Sequence, residues 1–186
     1  MGKEVKKMMK NKSRYAILGI LNISPSTGYD IKKYCDTIIS GFWHENFGHI
    51  YPTLKVLEQE GCIRQISEDK ESRKIRYEIT EEGKYELMNW LQEATLMQPV
   101  RSEFMLKFLF SSQIPVEKAI EMLNHYKKRQ EEELFKYKGL EKELEDGILK
   151  ISSERARFLK ATLRRGVLTS QASIKWCEET ILEFEK

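Results

Sequence analysis

The sequence has little of what linker-rich, all-β or disulfide-bonded proteins need. Four prolines and ten glycines in 186 residues argue against long disordered linkers and against an all-β fold. The three cysteines are far apart and form no CxxC or Cys/His cluster, so neither a disulfide framework nor a zinc site is expected. The longest nearly apolar stretch, residues 15–23, is far shorter than the roughly 20 residues that span a bilayer.

Motifs of catalysis and metal binding are also missing. The sequence has no Gly-rich phosphate loop, no nucleophile elbow and no carboxylate pair at catalytic spacing, so an enzyme is not expected. His44-Glu45 followed by His49 resembles a zinc-protease motif, but the second histidine comes five residues after the first instead of four. The two imidazoles would not share a helical face, and we expect neither a metal nor another cofactor.

The charges are numerous and unevenly distributed. The N-terminus is rich in lysine but has no apolar segment behind it, so no signal peptide is expected and the expected location is the cytoplasm. Residues 15–98 carry nine basic and thirteen acidic residues. This excess of acidic residues opposes DNA binding, because neutralisation of phosphates supplies much of the affinity. DNA binding therefore requires that the two signs lie on different faces.

The first half of the sequence predicts three helices in succession. Residues 13–23 form the first and end at Ser24-Pro25. Thr27 to Asp30 fits the capping box [ST]-x-x-[DE] and begins a second helix that runs to about Ile39. The third helix covers roughly 48–60, with a buried apolar stripe that ends at a C-terminal glycine. Pro52 is tolerated near the start of a helix, and the exposed side is predicted to carry His49, Tyr51, Thr53, Lys55, Val56 and Gln59.

A short hairpin and a fourth helix follow. Apolar and charged residues alternate along Lys74–Ile79, which predicts a strand with Ile75, Tyr77 and Ile79 facing inward. Ile63–Ser67 is the predicted partner strand, and residues 68–73 form a charged tip with three acids and no glycine. Thr80 caps the fourth helix, whose predicted packing positions are Tyr85, Leu87, Met88 and Leu91. The order helix, hairpin, helix is that of a winged helix-turn-helix.

The second half of the chain is purely helical in pattern. A short apolar helix, 104–110, precedes two long ones at about 116–146 and 153–185. We expect the apolar stripe on the last helix to pack against a second copy of the chain in a C2 dimer; its residues are Leu159, Leu163, Val167, Ile174, Cys177, Ile181 and Phe184. The expected fold is mainly α with a small β-hairpin: a basic extension (1–12), a winged-helix domain (13–98) and a helical dimerisation domain (99–186).

These segments resemble the PadR family of bacterial transcriptional regulators. The resemblance is most specific in Ile50-Tyr51-Pro52-x-Leu54-Lys55-x-Leu57-Glu58-x-x-Gly61. Four further segments support it: Tyr15–Leu21, Gly28–Ile31, Glu60–Ile63 and Tyr77–Thr80. The helical second half is similar to the longer subgroup of the family. Cys62 departs from the family pattern, since a bulkier apolar residue is usual there, and this affects packing only.

The resemblance implies a homodimeric winged-helix factor, usually a repressor that a small molecule releases from DNA. Some long members of the family are activators. The implied partner is double-stranded DNA with a roughly palindromic operator. On the third helix and the wing, the candidate contact residues are His49, Tyr51, Pro52, Thr53, Lys55, Arg73, Lys74 and Arg76.

A candidate pocket for a small aromatic effector involves aromatic residues that flank the junction of the two halves. They are Trp90, Phe104, Phe108, Phe110 and Tyr126. The alternative is that these rings fill a helical core. Two other functions stay open: a winged-helix module that binds proteins, favoured by the acidic balance of the first half, and a carrier of aromatic ligands without a regulatory role.

Overall fold

A computed structural model describes residues 12–66, 75–95, 101–149 and 151–186. The chain divides into two compact units, unit 1 up to Met97 and unit 2 from Gln98 onward. The predicted wing tip, residues 68–73, lies outside the described residues. No helix in the described ranges combines the length and the apolar character that a membrane span requires.

Unit 1 is a winged helix-turn-helix, as predicted. Its strands pair antiparallel in the order β1-β3-β2. The hairpin is therefore part of a three-stranded sheet, because the two residues after Pro25 pair with β3. In chain order the elements are α1 (Ser13–Leu21), β1 (Ser26–Thr27), α2 (Gly28–Thr37), α3 (Phe47–Gln59), β2 (Ile63–Ile66), β3 (Arg76–Ile79) and α4 (Glu81–Gln92).

Side-chain caps fix where the helices of unit 1 begin. The predicted capping box is confirmed: Asp30 N–H donates to Thr27 Oγ1 at 3.1 Å, and Thr27 N–H donates to Asp30 Oδ2 at 3.0 Å. Thr80 caps α4 through the N–H of Gly83 at 3.2 Å, also as predicted. These bonds satisfy N–H groups that have no partner within the helix.

The core of unit 1 lies between its helices and the sheet. Its fully buried side chains include Ile17, Leu18, Ile31, Ile50, Leu54, Leu57 and Ile63. Two predictions of burial are wrong. Ile75 is 50% exposed because it lies before β3 begins, where no described strand covers it. Of the four packing positions predicted on α4 only Leu87 is buried, whereas Tyr85, Met88 and Leu91 face outward.

Unit 2 is built on a pair of long helices. α5 (Glu103–Leu109) and a short 3₁₀ turn (Ser111–Gln113) lead into α6 (Val116–Glu145), which packs along α7 (Ser153–Phe184). Lys127 and Glu178 form an ion pair at 2.7 Å between the two long helices. Gly166 lets the ring of Tyr137 approach α7, since a Cβ at that position would lie 2.5 Å from the ring.

This pairing corrects the prediction for the last helix. Leu163, Val167 and Cys177 are at most 2% exposed, and α6 of the same chain covers them. They are therefore not available to a second copy, contrary to the prediction. Leu159, Ile174 and Ile181 are half-buried, and Phe184 stacks on Phe108 with ring centroids 6.1 Å apart. The predicted stripe is real, but most of it belongs to the core of unit 2.

Candidate nucleic-acid interface

The beginning of α3 is the strongest candidate for a nucleic-acid contact. The helix begins at Phe47, one residue before its predicted start, and Asn46 caps it by accepting from the N–H of His49 at 3.0 Å. Asparagine is a favoured N-cap, so this cap was open to prediction and was missed. Residues 47–57 include no Asp or Glu. The helix therefore combines the positive end of its dipole with a surface that carries no negative side chain.

Four of the five candidate residues on α3 face solvent. His49, Tyr51, Pro52 and Lys55 are exposed. Pro52 lies in the second turn, where a proline costs one backbone hydrogen bond. Thr53 is only 4% exposed, so its predicted place on the exposed side is wrong. It lies three residues after Ile50 and therefore shares the buried stripe.

Tyr51 is held in place by neighbours on two helices. Its ring packs against the Cα of Gly28, where an added Cβ would lie 2.7 Å from the ring carbon Cε1. On the other side it stacks with Phe47 at a centroid distance of 5.9 Å. Gly28 is the first residue of α2, so the capped start of that helix supports the side chain of Tyr51. The phenol thus projects from α3 in a defined position.

Of the three candidate contact residues on the wing, Arg76 lies within the described residues. Arg76 opens β3, where it pairs with Thr27 of β1 and Ile66 of β2, and its side chain is half-buried. Arg73 and Lys74 lie outside the described residues. Glu78, the next charged residue on the strand, forms an ion pair with Arg64.

Many acids of unit 1 are engaged within the unit. Their carboxylates accept from helix starts, pair with basic side chains, or are buried. The engaged residues are Asp30, Asp36, Glu45, Glu60, Glu78, Glu81 and Glu86. These carboxylates are therefore held by contacts within the unit, and none of them belongs to the first turns of α3.

One acidic cluster has the composition of a metal site. Ligand atoms of Glu60, Cys62 and Glu86 lie within 4.8 Å of one another. The guanidinium of Arg14 occupies this cluster, since its Nη2 donates to both Glu60 Oε2 and Glu86 Oε2 at 2.7 Å. A cation is thus already bound by both carboxylates, and the contact joins α1 to the end of α3 and to α4. We therefore assign the cluster a structural role.

Unit 1 also contains an apolar pocket. Its volume is about 270 Å³. Its aromatic walls include Trp43 and Trp90, and Trp90 stacks on Tyr15 with ring centroids 4.4 Å apart. Among the described residues Lys12 is the one basic residue that lines it, and Gly19 leaves part of the wall open, because a Cβ there would meet nothing within 4 Å. The pocket thus offers aromatic faces and the ammonium group of Lys12.

Of the five residues predicted to flank an effector pocket, four belong to two different aromatic groups. Trp90 lines the pocket of unit 1. Phe104 and Tyr126 stack at 4.0 Å in unit 2, and Phe108 packs edge-on against Trp176 at 5.4 Å. In unit 2 these rings contact one another and are half-buried, and Tyr126 and Trp176 also line a cavity of about 600 Å³. Phe110 is exposed.

Each half of the chain matches the profile of a known protein family. Residues 17–89 match the profile of the Transcriptional regulator PadR-like family, and residues 100–185 match the profile named Virulence activator alpha C-term. The chain is 33% identical over 129 residues to the Negative transcriptional regulator PadR of Bacillus subtilis, across 68% of this chain and 71% of that protein.

Structural comparisons agree. The crystal structure of Bacillus subtilis PadR in complex with operator DNA is similar, with a TM-score of 0.78, 28% identity and coverage of 94% of this chain and 99% of the other. Its complex with p-coumaric acid has a TM-score of 0.76, with 27% identity and coverage of 95% and 100%. This chain belongs to the PadR-like family of transcriptional regulators.

Proposed function

We propose that the protein is a homodimeric, sequence-specific DNA-binding repressor whose affinity for its operator falls when a small aromatic acid binds. The observation that carries this proposal is the start of α3: an exposed helix terminus with His49, Tyr51, Pro52 and Lys55 outward and no acid in residues 47–57. Such a terminus fits the major groove, where side chains reach base edges. The repressor role follows the Negative transcriptional regulator PadR, to which the chain is similar.

Each contact residue has a distinct task in this proposal. Lys55 neutralises a phosphate, while His49 and Tyr51 donate to base edges or to the sugar-phosphate backbone. Pro52 contributes apolar contact only. Arg73, Lys74 and Arg76 reach phosphates from the wing. Thr53 has no task, because it is buried.

The dimer forms, in this proposal, through apolar surface that unit 2 leaves uncovered. Leu106 and Leu109 on α5 are 58% and 72% exposed, and Phe110 after them is 62% exposed. Large apolar side chains that are exposed and close together in sequence are typical of an interface. Leu109→Glu should shift the mass measured by light scattering from dimer to monomer. If the Leu109→Glu variant stays dimeric, this surface is not the dimer interface.

The effector site we propose is the pocket of unit 1. Its aromatic rings are suited to stacking on a planar ligand, and the ammonium of Lys12 to pairing with a carboxylate. p-Coumaric acid, the ligand in one PadR structure, has both features. Gly19→Leu should narrow the pocket, because a Cβ at this position meets nothing within 4 Å and the larger side chain extends from a residue that lines the pocket. The variant should bind the operator normally and lose its response to p-coumaric acid; a normal response would place the effector elsewhere.

We propose a cytoplasmic location and no catalytic role. The match of the second half to a profile named for a virulence activator makes activation the alternative sign of regulation. A reporter gene behind the operator distinguishes the two. Repression predicts higher expression when the protein is absent, and activation predicts lower expression.

The test of DNA binding begins with selection of bound fragments from the parent genome. Operator affinity is then measured as a function of salt for the wild type, Lys55→Gln and the control Lys84→Gln. Lys84 is on α4, where it pairs with Glu81. Lys55→Gln should weaken binding and lower the salt slope by about 1, whereas the control should leave the slope unchanged. Replacement of Arg73, Lys74 and Arg76 together should flatten the slope further. Equal slopes in all variants would contradict the proposal.

A further inference from the structure

Glu45 is a charged residue that the DNA contacts do not use and that is nevertheless buried. It lies in the connector before α3, and its side chain is only 2% exposed. A buried carboxylate is costly unless its oxygens are hydrogen-bonded or paired. Within the described part of the chain, its Oε2 atom accepts no hydrogen bond. Burial of this carboxylate is therefore only partly compensated by hydrogen bonds.

The carboxylate of Glu45 lies between an indole and an imidazole. Nε1–H of Trp43 donates to Oε1 at 2.8 Å, and Oε2 lies 3.6 Å from Nδ1 of His49. Together with burial, which is the larger cause, the charge of Glu45 raises the pKa of the buried Cys35 thiol to about 11. The carboxylate thus sits toward the core of unit 1 and is shared by two flanking side chains.

The two flanking side chains belong to different sites. Trp43 lines the apolar pocket of unit 1. His49 is in the first turn of α3, and its imidazole is 63% exposed. One buried carboxylate therefore connects the wall of the proposed effector pocket to a proposed DNA-contact residue, and both connections lie within a single unit.

We propose that Glu45 is a positioning residue that holds His49 for contact with DNA and couples it to Trp43. The inference rests on the proposed function and specifies how the DNA-contact surface is regulated. Movement of the Trp43 ring removes the donor from Oε1. A closer contact between the Glu45 carboxylate and the His49 imidazole then becomes more favourable, because an unsatisfied buried acceptor is costly. His49 is drawn toward Glu45 and away from DNA.

This coupling is reciprocal, which permits a test without any effector. If His49 engages DNA, its contact with Glu45 changes, and the hydrogen bond from Trp43 must change in turn. The chain has three tryptophans, Trp43, Trp90 and Trp176. A ¹⁵N–¹H spectrum of the full chain therefore shows three indole signals. Substitution of each tryptophan by phenylalanine assigns them.

The measurement is the shift of these signals when the selected operator is added. The Trp43 signal should move with the operator and stay unmoved with an unrelated duplex of equal length. Trp90 lines the same pocket and stacks on Tyr15, so its signal is the internal control. In Glu45→Gln, which keeps an acceptor for Trp43, and in His49→Gln, the operator should no longer move the Trp43 signal.

Operator affinities separate positioning from a merely structural role. Glu45→Gln and His49→Gln should each weaken binding about three- to tenfold, the order expected for one lost contact. The double variant should be no weaker than His49→Gln alone, because Glu45 acts through His49. His49 is exposed, so this variant tests the idea even where Glu45→Gln folds poorly.

The outcomes are distinct. A Trp43 signal that does not move in a wild type that binds the operator would overturn the inference, as would a shift that persists in His49→Gln or additive effects of the two substitutions. If the wild type selects no operator, the binding isotherm shows directly that the proposed function fails, and the inference falls with it.

Discussion

Replacing Gly28 by alanine is expected to weaken DNA binding without weakening the fold. The new Cβ would lie 2.7 Å from Cε1 of Tyr51 and 3.2 Å from its hydroxyl oxygen, whereas an ordinary contact is 3.4–4 Å. The capping box holds the backbone of α2, and the Tyr51 side chain is 53% exposed. The ring therefore yields, by about 0.7 Å or more, because overlap of this size is not tolerated in a packed structure.

The magnitude follows from this displacement. A shift of this size moves the phenol hydroxyl out of hydrogen-bond range of a fixed partner on DNA. The loss of one such bond costs about 1 kcal/mol, or roughly a fivefold increase in Kd. Alanine is favoured over glycine in a helix by up to about 1 kcal/mol. The free energy of unfolding should therefore stay the same or rise.

Fluorescence anisotropy with labelled operator gives the Kd, and urea unfolding gives the stability. Gly139→Ala on α6 is the matched control, since a Cβ there meets nothing within 4 Å; it should leave the Kd unchanged. Tyr51→Phe and the double variant with Gly28→Ala should bind equally weakly. Wild-type affinity in Gly28→Ala, or a loss of more than about 1 kcal/mol of stability, would refute the reasoning.

Three further predictions concern the packing of the units. Gly83→Ala should destabilise unit 1 by about 3 kcal/mol, because a Cβ would lie closer than 3.0 Å to the Cys62 carbonyl oxygen; fluorescence-monitored unfolding that matches the wild type would contradict this. Burial raises the pKa of the Cys35 and Cys62 thiols from 9.0 to about 11. Their thiolate fraction at pH 8 is then about a hundredfold lower, so mass spectrometry should show slow alkylation by iodoacetamide in the native protein and fast alkylation in urea. Leu163→Ala should cost unit 2 about 3 kcal/mol by Trp176 fluorescence, whereas the exposed Leu182→Ala should be near neutral.

Local signals carried most of the correct predictions about the fold. The capping box at Thr27 and the cap at Thr80 placed two helix starts, because each depends on residues a few positions apart. The apolar stripe and Gly61 placed α3 to within a residue at each end. The stripe also explains the error at Thr53: a buried helical face includes positions i and i+3, so Thr53 falls within it despite its hydroxyl.

The wrong or missing predictions concern tertiary contacts, that is, which part of the molecule covers a given apolar face. The stripe on α7 is apolar whether α6 or a second chain covers it, so the sequence alone did not distinguish the two. β1 has only two residues, too few for an alternating pattern. Trp90 pairs with Tyr15, and Glu45 lies between Trp43 and His49; such contacts depend on how the helices pack and have no motif of their own.

The central claim is that two copies of unit 1 read DNA through α3. Hydroxyl-radical footprinting on the selected operator tests it most directly, with Lys55→Gln as a comparison. The account predicts two protected half-sites related by a dyad, with centres about one helical turn (~10 bp) or a multiple apart, and weaker protection in both half-sites with the variant. A single asymmetric footprint, or equal protection by Lys55→Gln and the wild type at the same subsaturating concentration, would contradict it.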